Sequence, residues 1–537
     1  MNSIQVAEAL YKLAKLMELH QDNPFKVKAI ANAASSLEKM NCEINEQNYH
    51  ELANIKGIGK NILEKIHELI STNNLLELEQ LESNTPHAIM ELLNIKGLGA
   101  NKVYKLWKEF GIKNIEELLE WCKDDKLSKV KGFGKKTQET ILENTHFYLE
   151  NKNKLHLHHA FHIANRVLNY FQKHHIKLEI TGELRRHCEI INQIEFITTQ
   201  KIDHKHLDFV HLNFHKQIVI HYVTEQEYFY NLFKTTGSKD YLEEIMFYKL
   251  HKNNFLSEKA ILKDLGINAC EPYQREASNQ FFYIDNYTAC SKEIIQQKDF
   301  KGVIHCHTLY SDGLNSIEEM ADYAIQNNYE YIVVSDHSQS AVYANGLKPN
   351  TVQQQFKEIE QLNHRFSSFK ILKGIESDIL ANGDLDYKDD VLKQFDVVIA
   401  SVHSGFNMTE NEATERIIRA IENPYTKILG HLTGRLLLIR KGYPINHKKI
   451  IDACAANKVI IELNANAYRL DIDWRFIPYC MKKNVPIAIN PDAHEKTAIS
   501  DMHYGIMVAQ KAGLEKEMCV NTWNYKQVLS YKHNLKT

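Results

Sequence analysis

A chain of 537 residues has room for three or four domains. Its 44% hydrophobic and 25% charged residues exclude a disordered or fibrous chain and fit an ordinary folded protein. A net charge of −3 excludes polyanion binding by global charge, so any nucleic-acid contact must come from a local basic patch.

Residues 1–150 read as helical and carry one element three times. Ile55-Lys-Gly-Ile-Gly59 is followed by Lys60, Ile95-Lys-Gly-Leu-Gly99 repeats the form, and Val130-Lys-Gly-Phe-Gly134 leads into Lys135 and Lys136. The glycines, Gly57, Gly59, Gly97, Gly99, Gly132 and Gly134, permit positive φ and close backbone approach. The helix after each turn starts with unpaired N–H groups suited to a phosphate, and Lys60 and Lys135 add attraction without regard to sequence. This is the helix–hairpin–helix pattern for gripping a DNA backbone. A single G-x-G turn is often only a helix connector, but three copies of one form make that reading poor, and their uneven spacing argues against a solenoid.

Residues 151–285 mix helix-like and strand-like segments, and a linker at 286–299 carries no Gly or Pro to mark it. Beyond it, seven short apolar runs alternate with helix-like stretches, the pattern of buried parallel strands with crossover helices. Six of the runs lead into potential metal ligands: His305, His307, Asp312, His337, Glu376, His403, His431, Asp492 and His494. The remaining run, Val459-Ile-Ile461, ends in Glu462 and Asn464. Functional side chains at the C-terminal ends of parallel strands follow the barrel rule. His305 and His307 are two apart, as are Asp492 and His494, so in an extended segment each pair shares a face while Cys306 turns away to pack. Any one of these histidines alone is better read as a core residue. Nine such ligands exceed one ion's needs and point to several metals side by side, which most often serve phosphate-ester hydrolysis. Zinc, manganese and iron all suit imidazole and carboxylate donors.

The segments His305-Cys-His-Thr-Leu-Tyr-Ser-Asp-Gly313, Ser335-Asp-His337, Gly374-Ile-Glu376, Ser401-Val-His403, Gly430-His431 and Pro491-Asp-Ala-His494 resemble the motifs of the PHP (polymerase and histidinol phosphatase) family. The resemblance implies a distorted (β/α)7 barrel over 300–537 holding three divalent ions, with manganese expected to support activity. It assigns His305, His307, Glu376 and Asp492 to one ion, Asp312, His337 and His494 to a second, and Glu376, His403 and His431 to a third. Glu376 and Asp492 thus stand at the catalytic centre. Arg435, in Thr433-Gly-Arg435, is expected to orient a phosphate through its planar fork.

Upstream, Leu178-Glu-Ile-Thr-Gly-Glu-Leu-Arg-Arg186, Asn192-Gln-Ile-Glu195, Gln217–Val223 and Thr236-Gly-Ser-Lys239 are similar, in order, to a family X DNA polymerase palm and thumb. The whole chain resembles bacterial family X polymerases with a C-terminal PHP domain. That implies a multidomain fold: a lyase-like helix–hairpin–helix domain over 1–83, a fingers-like one over 84–150, and an α/β nucleotidyltransferase-like palm and thumb over 151–285. Lys65 matches the family's Schiff-base lysine, although a solvated helix lysine is the commoner state of such a residue.

The departures fall on the polymerase chemistry. Two-metal nucleotide transfer needs three palm carboxylates, and the matching positions read Gln193, Glu195 and Ile220. Glu183 stands where the family contacts the triphosphate, setting negative charge against a polyanion, and Asp240-Tyr-Leu242 replaces a nucleotide-contacting segment. Arg185 and Arg186 persist, with a structural pairing as their plain reading.

The expectation is a DNA-binding, metal-dependent 3′–5′ exonuclease of DNA repair, with abasic-site cleavage as an added activity and polymerisation lost. The alternatives are a small-molecule phosphatase of histidinol-phosphatase type, a DNA-binding scaffold with structural metals, and a polymerase working through Glu179, Glu183 or Glu189. Nine scattered cysteines without C-x-x-C, no run of 18 apolar residues and no signal-peptide pattern predict a cytoplasmic chain with no membrane partner, expected to be monomeric.

Overall fold

Apolar residues three and four apart fold the first part of the chain into helices, with no β-strand among the described residues before Leu155. The computed structural model describes the chain except residues 2, 39, 41–42, 56, 215–216, 251–253, 268–269, 277–292 and 533–537. The expected linker at 286–299 and the end of the 151–285 segment run into 277–292 and lie in part outside the described residues. Two compact units result, Met1–Lys152 and Asn153–Thr537.

In the first unit, one core gathers Leu10, Ile30 and Ile66, and a second gathers Leu92, Val103 and Leu118. The three G-x-G segments share one hairpin. Ile58 N donates to Ile55 O, Leu98 N to Ile95 O and Phe133 N to Val130 O, each at 3.0 Å. The first glycine of each takes the left-handed backbone, at φ +99° for Gly57, +89° for Gly97 and +98° for Gly132. The intervening Ile58, Leu98 and Phe133 are buried and anchor the turn.

Among the described residues, the second unit contains twelve strands. A small sheet orders β2 (Glu179–Thr181), β4 (Ile194–Thr198) and β5 (Ile218–Tyr222), with β1 (Leu155–His156) pairing β3 (Ile190–Ile191) beside it. The other seven are parallel: β6 (Gly302–Cys306), β7 (Tyr331–Val334), β8 (Lys370–Asp378), β9 (Val397–Ser401), β10 (Thr426–Leu429), β11 (Ile460–Asn464) and β12 (Ile487–Asn490). They lie in simple sequence order, and a parallel bridge from Cys306 to Ala493 brings the edges together into a nearly closed barrel. Alternate residues explain the apolar runs. Ile304, Tyr331, Val333, Leu372, Ile399, Ile428 and Ile460 pack in one cluster, while Val303, Ile332, Ile371, Val398 and Ile461 pack in another. Both faces of each strand are thus buried, as a parallel sheet requires. No helix among the described residues is long and apolar enough to cross a membrane.

The small sheet and the barrel share a buried ion cluster. Lys511 Nζ donates to Glu276 Oε1 at 2.6 Å and to Arg186 O at 3.1 Å, and Arg186 Nε reaches the same carboxylate at 2.8 Å. Burial alone would raise the Glu276 carboxyl, but Lys511 and Arg186 outweigh it and hold it at about 2. A carboxyl depressed on folding stabilises fully above its ordinary value of about 4.3, and that contribution fades as pH falls toward the folded value. Thermal melts of the intact protein should therefore drop progressively below that point. Lys511→Met should cost about 3 kcal/mol at neutral pH, because it leaves a buried charge half-paired, and should flatten the acid dependence. Denaturant titrations at two pH values read both effects.

Candidate metal centre

The C-terminal ends of the barrel strands converge on Glu376. Its Oε1 lies 3.0 Å from His431 Nε2 and 3.3 Å from both His305 Nε2 and His403 Nε2, and its Oε2 lies 3.0 Å from His337 Nδ1 and 3.7 Å from His307 Nε2. Asp492 Oδ1 sits 3.1 Å from His307 Nε2 and 3.6 Å from His305 Nε2. Asp312 Oδ1 sits 3.3 Å from His494 Nε2 and 3.7 Å from His337 Nε2. All nine residues expected from the sequence meet in one pocket.

Local backbone sets this up. A β-bulge interrupts the pairing of β6 with β7 between Val303 and Cys306, and His305 adopts φ +66°. His305 and His307 therefore face the pocket through a bulge, not through a plain extended segment, while Cys306 packs into the core. Asp492 also holds a left-handed backbone, φ +53°. Non-glycine residues in that region cost roughly 1–3 kcal/mol and cluster at functional sites. Gly430 precedes His431 because a Cβ there would fall 2.2 Å from Ser401 Oγ.

The donor set fits divalent cations. Buried His305 Nε2, His337 Nδ1 and Glu376 Oε2 have no hydrogen-bond partner although they face one another. Donor atoms sharing an ion at about 2.1 Å stand roughly 3.0–3.4 Å apart, the separations between Glu376 and four of its five imidazoles. Among the described residues, three groups have donor atoms within 4.8 Å of one another: His307, Asp312, His337 and His494; His305, His307 and Asp492; and His337, Glu376 and His403. His307 and His337 each belong to two groups, and His431 approaches Glu376 from outside the three. Burial would lower His403, but Glu376 and Asp378 raise it to about 10; burial would likewise lower His305, which Glu462, Glu376 and Asp492 push well above its usual value. Burial opposes the charge on Glu376, yet His403, His305 and His337 hold it well below the carboxylate range. Such a negative field draws cations, and metal loading would displace those protons.

Three carboxylates that are not counted among the nine ligands orient them. Glu462 Oε2 accepts from His305 Nδ1 at 2.6 Å, and its Oε1 accepts from His431 N at 3.0 Å. Asp378 pairs with His403 Nδ1. Asp336 accepts from Thr308 N, Thr308 Oγ1 and Gln355 Nε2 at 2.7 Å each, fixing the loop after His307. The expected role of Arg435 is corrected. Its guanidinium is committed to Asp473 Oδ2 at 2.8 Å, Arg469 O at 2.9 Å and Leu470 O. Arg469 instead reaches the centre, with Nε 3.8 Å from Asp492 Oδ2.

The small sheet carries the polymerase-like positions. Glu195 pairs with His221 at 2.8 Å, and a Cβ on Gly182, which has φ +66°, would overlap the Glu195 carboxylate. Ile220 is a correction. It registers with Phe196 and packs toward the core, so His221, one residue on, occupies the Glu195 face. Gln193 is exposed just before β4. The three alternative carboxylates are engaged elsewhere: Glu179 with Tyr228, Glu183 with Asn192 and Glu189 with Trp474 and Arg475. Arg185 pairs with Glu258 through two bonds, and Arg186 with Glu276, as the structural reading expected. Among the described residues, none of the three ligand groups lies in this sheet.

In the helical unit, Gly57, Gly59, Gly99, Gly132 and Gly134 face open space, since a Cβ on any of them would meet nothing within 4 Å, and Lys60 and Lys135 are exposed. Gly59 and Gly99 cap the helices Lys60–Thr72 and Ala100–Lys108. Gly97 is more enclosed, with Asn144 Nδ2 3.7 Å from where its Cβ would be. Lys65 Nζ donates to Glu77, which also pairs with Lys26.

A barrel with this ligand set is a PHP phosphoesterase fold, and the PHP domain family matches residues 304–466. Helix-hairpin-helix families match residues 1–75 and, as a SAM-like tandem, 89–144. Over 99% of both chains, the sequence is 33% identical to the DNA polymerase/3′-5′ exonuclease PolX of Bacillus subtilis (strain 168). The chain belongs to this family of PHP-containing family X DNA polymerases. A probable phosphatase of Thermoanaerobacter sp. (strain X514) is 28% identical over 41% of this chain and 89% of its own. The structure of histidinol phosphate phosphatase from Lactococcus lactis, with zinc, L-histidinol and phosphate, covers 40% of this chain and 94% of its own at 20% identity and TM-score 0.32.

Proposed function

We propose that this protein hydrolyses DNA phosphodiesters from the 3′ end at the Glu376 centre, in DNA repair, and that its palm no longer polymerises. The observation that carries the reading is Glu376, a buried carboxylate faced by five imidazole nitrogens within 3.7 Å. The nine residues would hold up to three divalent ions, of zinc, manganese or iron, with manganese supporting activity. Bound there, the metals supply the Lewis acidity that phosphate-ester hydrolysis needs. Glu462 and Asp378 fix the imidazoles by accepting from their far nitrogens, and Arg469 offers a guanidinium to the phosphate beside Asp492. The hairpins would hold the DNA backbone without reading bases. The exonuclease activity named for the Bacillus relative, aligned end to end, supports the assignment. Cleavage at abasic sites, a monomeric state and a cytoplasmic location belong to the same proposal. A palm whose metal face presents Glu195 bound to His221, with Gln193 beside it, supports loss of polymerisation.

Chelation should abolish digestion of a 5′-labelled single strand, and added Mn²⁺ should restore a ladder of shortened products. Release of phosphate from phosphomonoesters with no effect on DNA would instead favour a small-molecule phosphatase. Lys60→Glu with Lys135→Glu should weaken binding to a short duplex and reduce the slope of log affinity against log salt by about 1 for each phosphate no longer neutralised. Fluorescence anisotropy across a salt series measures it.

A further inference from the structure

The loop after His337 is pinned and turns an aromatic ring to solvent beside the metal centre. Ala341 N donates to Ser338 O at 3.1 Å, Ala344 N and Gly346 N both donate to Ala341 O at 3.0 Å, and Leu347 N returns to His337 O at 2.8 Å. Ala341 and Ala344 are buried. Gly346 has no room for a side chain, since a Cβ would lie 1.8 Å from Ser338 O. The residues between them point outward: Val342 is 81% and Tyr343 71% exposed. Yet the Tyr343 ring centre stands 6.1 Å from that of His337 and 6.5 Å from that of His403. It is tilted by 60° and 66° to them, so its faces are not taken up by stacking on either imidazole.

A large aromatic held rigidly in water contributes little to the fold. Beside a phosphate site it has a use. One sugar separates a phosphate from its base, so a nucleotide whose phosphate lies at His337 and His403 brings its base to this rim. We propose that Tyr343 stacks the terminal base of the DNA strand whose phosphodiester occupies the metal centre. It would thereby act as a positioning residue that favours nucleotide ends over small phosphate esters. Every base offers a π-face, so the contact tolerates any sequence. The inference rests on the centre acting on DNA.

The test compares two single strands that differ only in the last 3′ residue, one bearing a base and one a tetrahydrofuran abasic analogue. Wild-type protein with Mn²⁺ should show about tenfold higher kcat/KM on the base-bearing end, the scale of one base–aromatic contact. Tyr343→Ala should bring that ratio close to one, and Tyr343→Phe should keep it. A 3′-terminal 2-aminopurine should be quenched on binding the wild-type protein and not on binding Tyr343→Ala. A ratio or a quench that survives in Tyr343→Ala, or is missing from an active wild type, overturns the stacking alone. A wild-type protein that shortens neither strand overturns the DNA reading of the centre and the stacking with it.

Discussion

Glu376→Gln is expected to lower DNA hydrolysis by about a thousandfold or more while leaving DNA binding intact. The shape is preserved and the charge is not. Five imidazole nitrogens face this one carboxylate, three at one oxygen and two at the other. An amide offers one acceptor oxygen and turns a donor toward the remaining rings, so it cannot bridge cations. Removing a principal electrostatic element from a buried centre costs at least as much as removing one oxyanion donor, about 100- to 1,000-fold. His305→Ala should behave alike. The hairpins lie in the other unit, so anisotropy with labelled DNA should be unchanged while metal content falls. Robust digestion by either variant would show that the chemistry lies elsewhere.

Glu462→Gln should reduce metal affinity or turnover by about 10- to 100-fold, although Glu462 is not counted among the nine ligands. Its carboxylate is fully buried and takes four hydrogen bonds, from His305 Nδ1, His431 N, Asn464 Nδ2 and Asn490 Nδ2. Those bonds fix the orientation of His305 and the backbone of His431. A glutamine keeps the volume but presents an N–H₂ to one side, where every neighbour is already a donor. Part of the activity should return at high Mn²⁺, which separates weakened metal binding from a damaged fold. Activity and metal affinity equal to the wild type would mean that the imidazoles are held by the barrel alone.

Much of the barrel and its ligands can be read from the sequence, because buried parallel strands are nearly continuous apolar runs and the ligands follow them. His403 after Val397–Val402 is one such case. Glu462 also ends such a run, but nothing in the sequence assigns it, Asp336 or Asp378 an orienting role. Each lies within two residues of a ligand or at a strand end, but its role depends on which imidazole nitrogen faces it, and only the fold decides that. Arg435 follows His431 closely in sequence, yet pairing with Asp473 draws it away, while Arg469, on a later loop, comes to Asp492. In the palm, Ile220 and His221 differ by one residue, and one residue reverses the face of a strand. Register with β4 is needed to see that His221 meets Glu195. The hairpins are legible because positive φ demands glycine at Gly57, Gly97 and Gly132, whereas the ion pair of Lys65 with Glu77 depends on two helices meeting.

The most direct measurement follows a 5′-labelled primer annealed to a longer template, incubated with Mn²⁺ with and without deoxynucleoside triphosphates. A nuclease centred on Glu376 beside a silent palm shortens the primer equally in both reactions. Lengthening when triphosphates are present would contradict it, and would show that the chain still transfers nucleotides.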